Sequence, residues 1–259
     1  DFIAITVNDE SPGDTYNINV ANVVAKAAHN GSCIKIASEE NAIHNVHDVN
    51  ISNVIAGDCG ALLNTVNDGN VNFSNINLSN AIITSPRNWG IRLDSGSGAI
   101  YNVKLVNVQI YNSPYQGIIS PASSSNVYNV EIIGGHIESC SAGGIVFAGS
   151  ADNITIVDTV LKSTSGLEFR NGDNIKLIGV DALSNAGDFT LYLGYTTTQV
   201  TNIKVIGCKL EGSNTRTVHI QNVDGAVFRD NYFGTPAVNI VSGSNLVFKN
   251  NENYVTENG

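Results

Sequence analysis

The chain has 259 residues, of which 42% are hydrophobic and 14% are charged. This balance is enough to build a core, and it excludes an intrinsically disordered chain. The formal net charge of −10 argues against nucleic acid and against an anionic membrane surface as the main partner. No apolar run approaches the roughly 18–20 residues that cross a bilayer. Because neither an initiator Met nor a signal peptide is visible, we expect a mature or excised piece of a longer protein.

A six-residue phrase recurs along the chain: Asn, an apolar residue, any residue, a second apolar residue, any residue, and then Asn, Gly or Asp. Its ten copies begin at Asn17, Asp48, Asn70, Asn102, Asn129, Asn153, Asn174, Asn202, Gly225 and Asn245. Alternating apolar residues predict strands that bury one face. Nine of the copies are followed by a second short apolar triplet, as at 91–93 and 167–169.

Short strands that repeat about every 20–30 residues are typical of the coils of a β-solenoid, whereas propellers and leucine-rich repeats have different frames. Each coil pairs with the next at ~4.8 Å, so equivalent side chains form columns. The 36 asparagines suit the corners of the coils, because Asn tolerates a left-handed backbone. Stacked amides also hydrogen-bond from coil to coil.

The repeats over residues 17–250 resemble the right-handed parallel β-helix of the pectate lyase superfamily. This resemblance implies an all-β, single-stranded right-handed parallel β-helix of about ten coils. It also implies an N-terminal lead-in at 1–16, a parallel β-helix domain at 17–250 and a C-terminal segment at 251–259. The fold hosts lyases, hydrolases, epimerases and viral tailspikes, so it does not select an activity.

The last seven residues, 253–259, read Asn-Tyr-Val-Thr-Glu-Asn-Gly. They resemble a Val-Thr-Glu-Asn-Ser-Gly segment that follows β-helices in phage and archaeal-virus tail proteins. In those proteins the segment precedes a trimerisation or chaperone module, so the resemblance implies a downstream module that is missing from this chain.

Outward residues of the second strand are expected to form a stripe along the solenoid. In chain order they are Lys35, Leu62, Arg92, Ile119, Val146, Glu168, Tyr192, His219 and Asn239. Glu168, Tyr192 and His219 should lie at successive steps of ~4.8 Å, with Arg170 and Gln221 beside them. Carboxylate, phenol, imidazole, guanidinium and amide groups suit acid–base chemistry or hydrogen bonding to a sugar. The alternative is an ordinary solvated face.

Paired-carboxylate hydrolysis needs two carboxyl groups about 5–9.5 Å apart. The other acid near the stripe, Asp94, should stand roughly 14 Å from Glu168 at ~4.8 Å per coil. Asp173, Asp181 and Asp188 remain open as partners, and so does a site between two subunits. The motifs of polygalacturonases and the Asp cluster of calcium-binding pectate lyases are absent from the sequence. We therefore leave catalysis open; an enzyme would be a polysaccharide depolymerase, either a glycoside hydrolase or a lyase, without cofactor or metal.

An aromatic pair is expected where Trp89 and Tyr115 occupy nearly equivalent places before the second strand of neighbouring coils. With Arg87 and Arg92 nearby, the pair predicts a platform on which a sugar ring can stack. The alternative is a loop that packs onto the solenoid.

The cysteines Cys33, Cys59, Cys140 and Cys208 lack metal-site spacing and fit small, buried, reduced residues. Cys33 and Cys59 fall in neighbouring coils, so a contact between them stays open.

The fifth position of the phrase should face outward, yet five consecutive coils place β-branched residues there. They are Val106, Ile133, Val157, Ile178 and Ile206. An exposed apolar strip of this length predicts an interface, and one parallel to the solenoid axis suits a homotrimer. The alternative is that the chain bends there and buries this position.

These observations leave three functional hypotheses. The first is the β-helix shaft of a trimeric viral tailspike or tail fibre, an extracellular part of the virion tail that recognises a host surface polysaccharide or cell-wall polymer, with degradation left open. The second is a secreted polysaccharide lyase or glycoside hydrolase. The third is a purely structural solenoid.

Overall fold

The computed structural model describes residues 2–7, 13–26, 31–39, 41–122, 126–185, 189–212, 216–234, 238–253 and 256–258. Within these ranges every regular element is a β-strand. The strands are β1 (Ile3–Val7), β2 (Thr15–Lys26), β3 (Ile34–Ser38), β4 (Val46–Gly57), β5 (Leu63–Asn67), β6 (Asn72–Thr84), β7 (Ile91–Asp94), β8 (Ala99–Tyr111), β9 (Gln116–Ser120), β10 (Val127–Ile133), β11 (His136–Glu138), β12 (Gly143–Val157), β13 (Val160–Thr164), β14 (Leu167–Asp173), β15 (Ile175–Ile178), β16 (Asp181–Ser184), β17 (Phe189–Leu193), β18 (Val200–Ile206), β19 (Lys209–Gly212), β20 (Arg216–Ile220), β21 (Val223–Arg229), β22 (Tyr232–Phe233), β23 (Val238–Ile240), β24 (Gly243–Lys249) and β25 (Thr256–Asn258).

All pairing between these strands is parallel, and each strand pairs with its equivalents in the turns above and below. Sheet 1 consists of the short strands β1, β3, β5, β7, β9, the start of β12, β14, β17, β20, β23 and β25. Sheet 2 contains the longer strands that carry the repeated phrase, from β2 to β24. The prediction of an all-β parallel β-helix is therefore confirmed.

Left-handed asparagines make the corners of sheet 2. Within β8, Asn102 and Asn107 have φ values of 55° and 51°, and they divide the strand into three straight segments. A left-handed residue costs an ordinary side chain about 1–2 kcal/mol, whereas Asn tolerates it. The recurrence of Asn, Gly and Asp at these positions is thus a consequence of the bend.

The amides at the first corner form a continuous hydrogen-bonded ladder. Each Nδ2 donates to the side-chain oxygen in the preceding turn: Asn75 to Asp48 (2.8 Å), Asn102 to Asn75 (2.9 Å), Asn129 to Asn102 (3.1 Å), Asn153 to Asn129 (3.1 Å) and Asn174 to Asn153 (2.7 Å). The ladder locks neighbouring turns in register, because a slip of one residue would remove every one of these bonds at once.

The third copy of the phrase begins at Asn75, and the prediction of Asn70 is wrong. Asn75 has a φ of 53° and bonds to Asp48, and the neighbouring residues pair as Ile76 with Val103. The two segments 70–75 and 75–80 fit the same alternation, so the pattern could not separate them. With this register the residue in the outward fifth position of that turn is Ser79, not Ser74.

The solenoid has about eight turns rather than ten. The first and last copies of the phrase lie in β2 and β24, which pair with a neighbouring sheet 2 strand on one side only among the described residues. The copies between them are flanked on both sides. Outside 17–250, β1 pairs with β3 and β25 pairs with β23, so these two strands continue the ladder of sheet 1.

Inward side chains stack into apolar columns that run the length of the solenoid. Val103, Val130, Ile154, Ile175 and Ile203 form one such column, and each is at most 1% exposed. Burying a side chain of this size contributes roughly 1.5–3 kcal/mol. Aromatic residues stack in the same way, as the parallel rings of Phe147 and Phe169 show at 5.6 Å.

The four cysteines are free and buried, as predicted. Burial raises the pKa of the Cys33 thiol to about 12, and it raises the pKa values of Cys140 and Cys208 to about 11. These thiols stay protonated at neutral pH and act as small packing groups.

No helix long and apolar enough to cross a membrane occurs in the described part of the chain.

The ladder predicts an ordered effect of substitutions at Asn129. Asn129→Ala keeps a Cβ at a φ of 55° and removes two amide bonds, so we expect a loss of about 2–4 kcal/mol in unfolding free energy. Asn129→Gly removes the same bonds without the backbone strain and should lose about 1–2 kcal/mol less. Urea unfolding measures both, and an alanine variant as stable as the glycine variant would contradict this account of the corner.

Candidate functional site

The outward residues of sheet 1 form one stripe along the solenoid, in direct register from turn to turn. In order they are Lys35, Asn64, Arg92, Ile119, Val146, Glu168, Tyr192, His219 and Asn239. One predicted member is wrong: Leu62 is fully buried, and Asn64 takes its place because the strand begins at Leu63. The apolar triplet 61–63 predicts a strand that begins at residue 61, two residues before the strand in the structure.

Five of the residues proposed from sequence lie together, with Glu168, Tyr192 and His219 on this stripe and Arg170 and Gln221 beside it. The guanidinium Nε of Arg170 donates to Oε1 of Glu168 at 2.6 Å, and the Tyr192 hydroxyl donates to Oε1 of Gln221 at 2.9 Å. Tyr192 stacks on the His219 ring at 4.8 Å between centroids. Hydrogen bonding to Glu168 raises the pKa of Arg170, and burial, followed by the charge of Glu168, raises the pKa of Tyr192.

His219 is a buried ring rather than an exposed catalytic group. Only 6% of the residue is exposed, because Phe189 and Tyr192 cover it at ring distances of 4.5 Å and 4.8 Å. Burial lowers the pKa of this imidazole, so it is neutral at pH 7. Its geometry suits a support beneath Tyr192 better than proton transfer to a ligand.

Two residues of this cluster were missed by sequence reasoning, Phe189 and Tyr195. Tyr195 is 43% exposed, and the Arg170 guanidinium lies over its ring at 5.5 Å. It reaches this place because Gly194 turns the chain at a φ of 84°, where a Cβ would lie 1.6 Å from the carbonyl oxygen of Gln221. The only sequence signal is a Gly-Tyr pair directly after a strand, which is too common to predict a site.

A cleft of about 230 Å³ opens beside the cluster. It is lined by Ser165, Leu167, Glu168, Phe189, Tyr192 and Tyr195. We name these residues together with Arg170 the Glu168 cleft. Its aromatic rings and its carboxylate–guanidinium pair can stack on a sugar ring and hydrogen-bond its hydroxyls.

No second carboxylate faces Glu168 within the described residues of the cleft. Asp173 lies at the far end of β14, in the ladder of sheet 2, where it accepts hydrogen bonds from Thr201 and Asn202 that lower its pKa. Asp181 pairs within sheet 2, between Val160 and Lys209. The third candidate, Asp188, lies outside the described residues. Two-carboxylate hydrolysis is therefore not built into this face by the residues that the structure describes.

The aromatic platform lies just before the sheet 1 strands β7 and β9, nearer the N-terminal end of the solenoid. Trp89 and Tyr115 are 6.1 Å apart, as their equivalent positions predicted, and Tyr115 is 49% exposed. The Arg92 guanidinium lies 4.7 Å from the Trp89 ring and also pairs with Asp94. Arg87 takes no part in the platform: it forms a two-bond pair with Asp58 at 2.8 Å and 3.0 Å.

The apolar strip is on the surface of sheet 2. Val106, Ile133, Val157, Ile178 and Ile206 stack in direct register, and the corner that follows them does not bury them. Ile178 is 38% exposed, and the other four are partly exposed. The strip is about 19 Å long at ~4.8 Å per turn.

In the described ranges, no three His, Cys, Asp or Glu side chains converge in a way that could hold a metal ion.

Comparison with known proteins gives the fold. No protein-family model matches the chain, and no curated protein sequence matches it either. Its structure is similar to the A-module of the mannuronan C-5 epimerase AlgE6 from Azotobacter vinelandii, with a TM-score of 0.57 and 12% sequence identity over 99% of this chain and 89% of that one. This likeness shows a shared parallel β-helix and nothing about activity.

Two viral proteins also match. ORF18 of Geobacillus virus E2 has a TM-score of 0.49 and 13% identity, over 95% of this chain and 54% of that chain. The Dettilon tailspike protein has a TM-score of 0.46 and 12% identity, over 90% of this chain and 58% of that chain. The chain thus spans a little over half the length of either viral protein.

The burial of His219 makes stability depend on its neutral form. The pKa of His219 is lowered from 6.5, so as the pH falls the unfolded chain binds a proton before the folded chain does. Stability should therefore decline as the pH falls below about 6.5. His219→Phe keeps the stack and should flatten this decline between pH 7.5 and 5.5, whereas His219→Ala should flatten it too but lose about 2–4 kcal/mol at pH 7.5. Urea midpoints at the two pH values measure this, and an unchanged pH slope in His219→Phe would refute it.

Proposed function

We propose that this chain is the β-helix shaft of a trimeric viral tailspike or tail fibre, extracellular and part of the virion tail, whose sheet 1 binds a host surface polysaccharide or cell-wall polymer. The observation that carries the binding proposal is the pairing of aromatic rings that reach the surface with guanidinium groups at two places beside sheet 1. Arg92 lies over Trp89 beside Tyr115, and Arg170 lies over Tyr195.

These two clusters are spaced for a long ligand. Arg92 and Glu168 belong to the same stripe and are three turns apart, which is about 14 Å at ~4.8 Å per turn. Each cluster offers an aromatic face with polar groups at its rim, the combination that recognises a sugar ring. A single sugar would span one cluster only, so the arrangement favours an oligosaccharide that crosses sheet 1 obliquely, from Trp89 before its strand to Tyr195 after its strand.

Binding fits the described side chains better than cleavage does. Glu168 is held in an ion pair with Arg170, His219 is buried and lies two turns from Glu168, and the raised pKa of Tyr192 makes its phenol a poor base at neutral pH. Degradation by a lyase or hydrolase remains the alternative in which a partner subunit or an undescribed residue completes the site. A purely structural solenoid is the third alternative, and it predicts no glycan binding at all.

The trimer is supported by the apolar strip and by the resemblance of the C-terminal segment to viral tail proteins. In a parallel assembly, a strip of five β-branched residues along the axis can be buried against the equivalent turns of a neighbouring chain. The viral setting rests on that resemblance and on the shape of the fold.

A glycan panel tests the binding proposal. Against uncharged bacterial capsular polysaccharides, we expect Trp89→Ala and Tyr195→Ala each to weaken binding about three- to tenfold, since a stacked ring contributes roughly 0.5–1.5 kcal/mol. Tyr16→Ala is the matched control, because Tyr16 is an exposed aromatic residue on sheet 2. Equal affinity in all four proteins would refute the sheet 1 site. New reducing ends or unsaturated products would instead favour an enzyme.

The oligomeric state tests the shaft proposal. At about 10 µM, light scattering or sedimentation should give the mass of three chains, and Ile178→Asp should shift the protein to monomer because it places a charge in the strip. Leu183→Asp is the control, since Leu183 is 40% exposed but lies outside the strip. A wild-type monomer under these conditions would overturn the trimer.

A further inference from the structure

A second long groove runs along sheet 2, away from the stripe of sheet 1. One part has a volume of about 600 Å³ and extends from Asn75 and Asn77 to Asn174 and Lys176. A further cleft of about 440 Å³ surrounds Lys204 in the next turn. The floor is the outward column Asn77, Lys104, Glu131, Thr155, Lys176 and Lys204, whose members are in register from turn to turn. This lysine groove is about 24 Å long at ~4.8 Å per turn.

Its charges are unevenly balanced. Lys104 is paired with Glu131 at 3.1 Å, and Asp173 at the edge of the Lys204 cleft is an ionised carboxylate whose oxygen accepts hydrogen bonds from Thr201 and Asn202. The groove therefore holds the three lysines Lys104, Lys176 and Lys204 against two carboxylates. Lys176 and Lys204 lie directly opposite each other in adjacent strands, and no carboxylate in the described residues forms an ion pair with either. Like charges in this position are destabilising, so packing gives no reason for the pair.

One wall of the groove is a row of hydrogen-bond donors. Asn102, Asn129, Asn153 and Asn174 line it, and each gives one N–H of its amide to the ladder. A side-chain amide carries two N–H groups, so one further donor is left in every turn. Ammonium groups on the floor and amide donors on the wall together offer far more donors than acceptors, which suits an anion.

We propose that the lysine groove binds an extended anionic polymer parallel to the solenoid axis, with its negative groups at Lys176 and Lys204 and its remaining oxygens on the asparagine wall. The shared chemistry is a chain of regularly spaced anionic groups, whether they are phosphodiesters or carboxylates. This site is separate from the proposed sheet 1 site and does not depend on it. The chain has a net charge of −10, so two adjacent lysines that form no ion pair within the described residues are unusual in it. Electrostatic complementarity to an anionic ligand gives a reason for the pair.

The test compares two charge-matched double variants of the full chain. Fluorescently labelled poly(glycerol phosphate), polygalacturonate and neutral dextran of similar length serve as probes, and anisotropy at 50 and 300 mM NaCl gives Kd. Lys176→Gln with Lys204→Gln should raise Kd for at least one anionic probe tenfold or more at low salt. Lys26→Gln with Lys162→Gln changes the net charge equally, at exposed lysines outside the groove, and should stay within twofold. Added salt should weaken wild-type binding.

The two anionic probes show whether the groove binds phosphodiesters or carboxylates. A loss of affinity for either probe in the Lys176/Lys204 double variant supports the site and identifies the anionic group that it prefers. Failure of both anionic probes to bind, an equal loss in the control variant, or the same loss with dextran would overturn the inference. Trp89→Ala separates the two proposals: we expect it to keep the binding of the anionic probe within twofold, whatever it does to other glycans.

Discussion

The left-handed asparagine corner is the constraint on which the rest of the structure depends. A φ near 55° at Asn75, Asn102, Asn129, Asn153 and Asn174 turns the chain at the same point in every coil, and the amide ladder ties each corner to the one before it. With the corners aligned, the strands between them must pair in register. The apolar columns inside and the outward-facing columns on the surface both follow from that alignment rather than from separate causes.

The outer surface acquires its chemistry because register converts a spacing in sequence into a neighbour in space. Glu168, Tyr192 and His219 are more than twenty residues apart in sequence and yet lie in three successive turns. The same rule produces the aromatic platform beside sheet 1, and it places the apolar strip and the lysine groove side by side on sheet 2. Under the proposed function, a long solenoid with several linear surfaces suits the recognition of extended polymers, which present repeating groups along one direction.

The solenoid, its inward columns and most of the outward stripe could be predicted from sequence, because alternation and corner residues are local signals that recur. The start of the third repeat could not, since 70–75 and 75–80 carry the same alternation and only the bond from Asn75 to Asp48 separates them. The burial of His219 was also beyond the pattern, because it depends on the ring of Phe189 from the start of the neighbouring strand. Tyr195 depends on a glycine turn that has no periodic signature.

Disulfide trapping across one ladder step tests the register most directly. Oxidation of the double variant Asn77→Cys with Lys104→Cys should give an intramolecular disulfide by mass spectrometry, because paired positions in adjacent strands lie within the Cα range of about 4.4–6.8 Å that a disulfide requires. The double variant Asn72→Cys with Lys104→Cys should remain reduced, since Asn72 pairs with Ala99. Cross-linking of the second pair and not the first would place the repeat at Asn70 and contradict the columns on which every proposed neighbour depends.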